Sequence, residues 1–89
     1  MDNYDAYLNF SVVENTVFSF FDTDLDQRRT IEFDPLEPQE CIKAVASLIQ
    51  KYGITKVYCN KIGYGLCGSI SKYLKTNYSN DTCFFELND

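Results

Sequence analysis

The feature that most constrains this chain is a change of hydrophobic period between residues 33 and 38. Up to Phe33 apolar residues alternate with polar ones, and beyond Pro38 they recur every three or four residues. A period of two turns one face of a strand toward a core, and a period near 3.6 turns one stripe of a helix there. Within Tyr7–Val13, Leu8, Phe10 and Val12 fall on one side and Asn9 and Ser11 on the other, which predicts a strand followed by a tight turn at Glu14-Asn15. Thr16–Phe21, rich in β-branched and aromatic residues, is predicted to return antiparallel. After the loop Asp22–Gln27, Arg28–Phe33 sets Ile31 and Phe33 opposite Thr30 and Glu32 as a third strand.

Asp34-Pro35 then breaks the strand, and Glu37-Pro38 prepares a helix, since proline is tolerated in the first turn and acidic groups favour that end. Ile42, Val45, Ala46, Ile49 and Tyr52 form its apolar stripe, with Gly53 as the stop. Ile54–Asn60 reads as a fourth strand, a second helix from about Gly65 to Asn77 carries Leu66, Ile70 and Leu74 on one face, and Thr82–Leu87 reads as a fifth strand. Strand–helix–strand units in one sheet are parallel and right-handed. The expectation is a single small α/β (α+β) domain over residues 1–89, in the order βββαβαβ, with a mixed five-stranded sheet and two helices over its faces.

At 89 residues the chain is too short for two independent cores, and its fourteen Phe and Tyr separate it from disordered sequences. No run approaches the roughly 20 apolar residues of a membrane span. The start, MDNYDAYLNF, lacks the basic and apolar regions of a signal peptide, so a soluble, cytoplasmic protein is predicted. Cys41, Cys59, Cys67 and Cys83 form no CxxC pair and there is no histidine, which argues against a zinc knuckle or a thioredoxin-type motif. All four are predicted to be reduced thiols in or near the core.

The net charge of -5 is divided: residues 1–40 carry a net of -8 and residues 41–89 a net of +3. Direct nucleic-acid binding is disfavoured by the first half, whereas an acidic surface suits a basic surface on another protein, including one built to hold nucleic acid. Asp22, Asp24 and Asp26 at a hairpin tip, with Glu32 and Asp34 close by in sequence, are the candidate partner-binding residues; a merely solvated face is the competing reading. Asp22-x-Asp24-x-Asp26 resembles the opening of a calcium loop. Gln27 and Phe33 stand where that loop needs Gly and Glu, so no metal is expected.

The stretch KVYCNKIGYGLCGSISKYL reads as strand, glycine-bearing turn and helix, the junction where α/β domains concentrate their sites. Gly63-x-Gly65-x-x-Gly68 is formally a dinucleotide-binding pattern, and Glu86 falls where its ribose-binding acid belongs, so these four residues are the weak nucleotide candidates. Lys61-Ile62 intervene between strand and first glycine, and no second βαβ half follows; otherwise the glycines serve a tight turn and no cofactor is expected. Tyr64, Tyr73 and Tyr78 beside Lys61, Lys72 and Lys75 fit base stacking, but also helix-face tyrosines covering a small core, which is the preferred reading.

The element order, together with KVYCNKIGYGLCGSISKYLK, resembles the ribonuclease H-like superfamily and, within it, the fourth-strand motif of the nuclease domain of phage terminase large subunits. Gly63, Gly65 and the spacing to Leu74 carry the likeness, which is close over about twenty residues. The resemblance implies two-metal phosphodiester hydrolysis with acidic ligands from the first strand, the fourth strand and a later helix. Asn9 and Asn60 stand at the first two of those positions, and the third falls past the end of the chain. Neutral amides cannot offset the charge of two cations, so the implied catalytic centre is vacant. The reading is a non-catalytic acidic accessory protein of a phage or mobile element that binds, and inhibits or adapts, a nucleic-acid-handling protein in the host cytoplasm; homodimerisation is compatible with it. A minimal metal-dependent nuclease and a nucleotide-binding module are the alternatives.

Overall fold

Seven elements follow one another in the predicted βββαβαβ order: β1 (Ala6–Asn9), β2 (Thr16–Asp22), β3 (Gln27–Phe33), α1 (Pro38–Tyr52), β4 (Lys56–Cys59), α2 (Tyr64–Tyr78) and β5 (Cys83–Glu86). The structure, a computed structural model, describes residues 5–87. It is a small α+β domain whose five strands lie in one mixed sheet of order β3-β2-β1-β4-β5. The two hairpin pairs are antiparallel, and β4 joins β1 and β5 in parallel.

Both crossovers, β3 to β4 and β4 to β5, step the same way across this order. Right-handed connections that progress in one direction place their helices on one face. The burial pattern agrees: Ala6, Leu8, Phe18, Phe20, Val57 and Cys59 from the sheet share one core with Cys41, Ile42, Val45, Ala46 and Ile49 of α1 and with Cys67, Ile70 and Leu74 of α2. The expectation of helices over both faces is therefore corrected to one helical layer. On the other face Tyr7, Tyr58 and Phe85, neighbours across β1, β4 and β5, stack with ring centroids 5.6 and 5.3 Å apart.

The first helix stops where the sequence says it should. Gly53 adopts φ 61°, and its N–H closes onto Ile49 C=O, a left-handed cap that glycine adopts without a Cβ penalty. The first strand does not run as expected. It leaves the ladder at Asn9, and the Ser11 hydroxyl accepts from the N–H groups of Val13 (3.3 Å) and Glu14 (3.0 Å), curling the chain outward. Alternation alone cannot show where a partner strand ends, so Val12 and Val13 lie in solvent instead of on a strand.

Candidate functional site at the carboxyl ends of the parallel strands

Strand carboxyl ends are where α/β sheets place their ligands, and here β1, β4 and β5 end side by side. Leu8 pairs with Cys59 and Cys59 with Glu86, so Asn9 and Asn60 each follow by one residue. Asn60 does not sit open for a ligand. Its Oδ1 accepts from Phe10 N–H at 3.0 Å and its Nδ2 donates to Phe10 C=O at 2.7 Å, while its own N–H donates to Leu8 C=O at 3.3 Å. The side-chain amide thus reproduces a peptide group and extends the β1–β4 pairing past the last backbone partner. Such pairing needs a donor and an acceptor together, which Asn has and an ionised Asp lacks. Asn9 is exposed and pairs through its backbone with Val17.

Gly63 sits directly behind this clamp. A β-carbon there would lie 2.6 Å from Asn60 Oδ1 and 2.7 Å from Phe10 Cβ, so glycine is required by close approach and not by its backbone angle. Gly65 and Gly68 have open space around their Cα atoms. The three glycines of the dinucleotide pattern are therefore unlike one another. The N–H groups of Gly63 and Tyr64 already donate to Asn60 and Lys61 carbonyls at 3.0 and 3.4 Å, which takes two donors from a phosphate cradle. Glu86 is exposed at the end of β5 and does not line the cleft of about 260 Å³ formed by Tyr64, Cys67, Gly68, Ser71, Thr82 and Phe84.

Cys59 and Cys67 form a disulfide that ties the end of β4 to the first turn of α2 across this loop. This corrects the expectation of four reduced thiols for that pair; eight residues of separation look unpromising in sequence, but the turn folds the helix back onto its own strand. Cys41 and Cys83 are free, the first buried and the second exposed. Burial pushes the Cys41 thiol up to about 11, so it stays protonated and unreactive at neutral pH. Among the described residues no three His, Cys, Asp or Glu side chains come together as a metal set.

The acidic candidates do not form one cluster. Asp22 is buried at 1% exposure: its Oδ1 accepts from the N–H groups of Asp24 (2.9 Å) and Leu25 (3.2 Å), and its Oδ2 from Arg29 Nη1 (2.9 Å) and the Tyr52 hydroxyl (3.2 Å). Burial pushes this carboxyl up, but the bonds from Arg29, Leu25, Asp24 and Tyr52 together hold it below its ordinary value. Asp22 builds the hairpin tip; of its three aspartates only Asp24 and Asp26 are exposed. Glu32 and Asp34 lie at the far end of β3, on the order of 20 Å from the tip at strand rise. Sequence proximity suggested a single acidic patch because a seven-residue strand separates its ends far more than a loop would.

What the sequence reading missed is apolar. Val12 (65% exposed) and Val13 (87%) on the β1–β2 loop, Leu36 (84%) on the β3–α1 loop, Ile62 (68%) on the β4–α2 turn and Tyr64 (44%) at the start of α2 all project from the strand-carboxyl end. Glu14, Asp34 and Glu37, all exposed, stand on the first two of these loops. Of the α2 tyrosines, Tyr73 packs on the core and Tyr64 and Tyr78 are exposed. For Leu36 and Ile62 the signal was present in the sequence as apolar residues outside any strand or helix stripe, whereas Val12 and Val13 were hidden inside the expected first strand. Comparison with protein-family models, with curated proteins and with solved structures finds no match to this chain. No helix among the described residues is long and apolar enough to cross a membrane.

Proposed function

We propose that this chain is a non-catalytic binding protein whose strand-carboxyl end docks on a basic, apolar-lined surface of another protein. The observation that carries this reading is the set of five exposed apolar side chains, Val12, Val13, Leu36, Ile62 and Tyr64, gathered on loops that also bear Glu14, Asp34 and Glu37. Exposed apolar residues collected at one end of a domain beside charged ones suit a protein contact. The rim sets these three carboxylates against Lys61, a net negative charge that fits a surface evolved to hold nucleic acid. Asp24 and Asp26 on the opposite hairpin extend the negative field that steers encounter.

The ribonuclease H-like reading is supported by the βββαβαβ order and by the parallel contact of β1 with β4, the two strands that would supply metal ligands. Asn60, used on both sides of its amide to hold Phe10, supports a scaffold without catalysis. On this reading the protein is a phage or mobile-element accessory factor that inhibits or adapts a nucleic-acid-handling protein in the host cytoplasm.

The test is stoichiometric capture by the tagged full chain, repeated with Val13→Ser combined with Ile62→Ser. Expected are one basic partner whose nucleic-acid binding changes on complex formation, loss of that partner with the double variant, and weaker capture at raised salt. Capture unaffected by the double variant would remove the loop end from the interface. Magnesium- or manganese-dependent cleavage of DNA or RNA that copurifies with the folded chain would move the assignment to a minimal nuclease.

A further inference from the structure

The two helices begin differently. α1 opens on Pro38 with Glu40 in its first turn, a residue pre-set for helical φ and a charge that suits the positive end. α2 opens after Gly63 with no side-chain cap bond and no acidic residue in its first turn, and it places Gly65 and Gly68 near its start. Glycine is the poorest helix former after proline, so both positions disfavour the helix they stand in. Neither has a side chain to pack, and the space around both Cα atoms is open. Leu66 is half-buried, and Ile70 and Leu74 anchor the rest of α2 in the core. What fastens the first turn is Cys67: its N–H donates to Gly63 C=O at 3.0 Å, and its sulfur is bonded to Cys59 of β4.

We propose that the Cys59–Cys67 disulfide is a redox-operated lock on this turn: closed, it holds residues 64–68 helical, and opened by a dithiol, it lets them fray while Ile70 and Leu74 keep the rest of α2 in place. Cys67 lines the cleft of about 260 Å³ with Gly68 beside it, whereas Cys59 is fully buried and does not line it. The sulfur within reach is therefore that of Cys67. A thiolate of the dithiol attacks Cys67 Sγ, the Sγ–Sγ bond breaks, and Cys59 leaves as a thiolate that takes up a proton. The second thiol of the reductant then closes its own disulfide and releases Cys67, which takes up the other proton, so two electrons pass to the pair. The loop between the cysteines carries Ile62 and Tyr64. Asn60 and Gly63 still pin the first part of that loop in the reduced chain, so the side chain set free is Tyr64. On the docking reading above, on which this consequence rests, reduction withdraws Tyr64 from the contact and weakens capture of the partner.

Amide hydrogen exchange on the full chain tests the lock, with Cys83→Ser as background so that the exposed thiol forms no link between molecules. Thiol titration of the unfolded protein should find Cys41 alone after treatment with oxidised glutathione, and Cys41, Cys59 and Cys67 after dithiothreitol. On reduction the amides of Cys67, Gly68 and Ser69 should lose at least about tenfold more protection than those of β4 and of residues 72–78. Gly65→Ala combined with Gly68→Ala should return about tenfold of that protection to the reduced chain, since alanine supplies the helix preference that the glycines lack. A pair that stays dithiol under oxidised glutathione, a loss shared evenly by β4 and all of α2, or a reduced chain that the alanines do not restore overturns the proposal. Capture of the partner separates this inference from the docking reading. Equal capture by oxidised and reduced chains removes redox control and leaves docking intact, whereas capture by neither removes docking and the exchange result still decides the lock.

Discussion

Asn60 illustrates how a residue that resembles a lost catalytic acid can be a structural one. Its amide bonds Phe10 at 3.0 and 2.7 Å through an acceptor and a donor. Asn60→Asp should therefore cost about 1–3 kcal/mol in urea unfolding, because the Phe10 carbonyl loses its donor and faces a like charge. Combining it with Asn9→Asp should create no magnesium or manganese affinity by calorimetry, since Asn9 points to solvent while residue 60 is turned to the Phe10 backbone. Asp22 gives the second prediction at this scale. Its pKa is lowered in the folded chain, so the stability it contributes is fully present above its ordinary 3.8 and is lost as pH falls through the folded value. The melting temperature of the parent should drop more steeply between about pH 5 and pH 2 than that of Asp22→Asn, which should be the less stable at neutral pH. Equal slopes would mean that Arg29 and Tyr52 do not hold this carboxylate in solution.

At the scale of elements, the β4–α2 junction is fastened three times: by the Asn60 clamp, by the Gly63 approach and by the Cys59–Cys67 disulfide. Gly63→Ala should destabilise by about 1–3 kcal/mol through overpacking against Phe10 and Asn60. Gly65→Ala and Gly68→Ala should stabilise by about 0.5–1 kcal/mol each, because both positions are helical with free space and alanine is the better helix former. That contrast separates a packing glycine from helix glycines, and a nucleotide cradle would require all three to be intolerant. Dithiothreitol should lower unfolding stability by about 2–3 kcal/mol, the loop-closure contribution of a short disulfide loop. Unchanged denaturation midpoints with and without reductant would show the pair to be dithiol in solution.

For the whole molecule, the decisive fact is that both helices lie on one side of the sheet. That arrangement leaves an aromatic face open, while the strand directions set the acidic β2–β3 tip and the exposed apolar loops at opposite ends of the strands. Replacing Asp24 and Asp26 by Asn should leave stability within about 0.5 kcal/mol, as exposed positions do. It should slow association with a basic partner without changing the dissociation rate, because the tip lies away from the docking loops. Slower association with faster dissociation would put the tip inside the contact. Asp22 does not belong in that variant, since removing its charge removes the Arg29 and Tyr52 anchors of the tip.

Element type and order were legible in the chain because they depend on periodicity and on local breakers: Gly53 ends α1 at the expected residue, and the β2, β3 and α2 boundaries fall within a residue or so of their sequence reading. The candidate site was legible only in its location, the turn after β4. What Asn60, Gly63 and Cys59 do there depends on Phe10 and Cys67, partners that the fold brings near, and no local pattern records such a pairing. The early end of β1, the burial of Asp22 and the separation of Asp24 from Asp34 likewise follow from which strand stops beside which. Sequence period determined which residues seek a core; only the tertiary structure, by giving each side chain its distant neighbours, decided which polar groups are used in holding the fold and which face remains open.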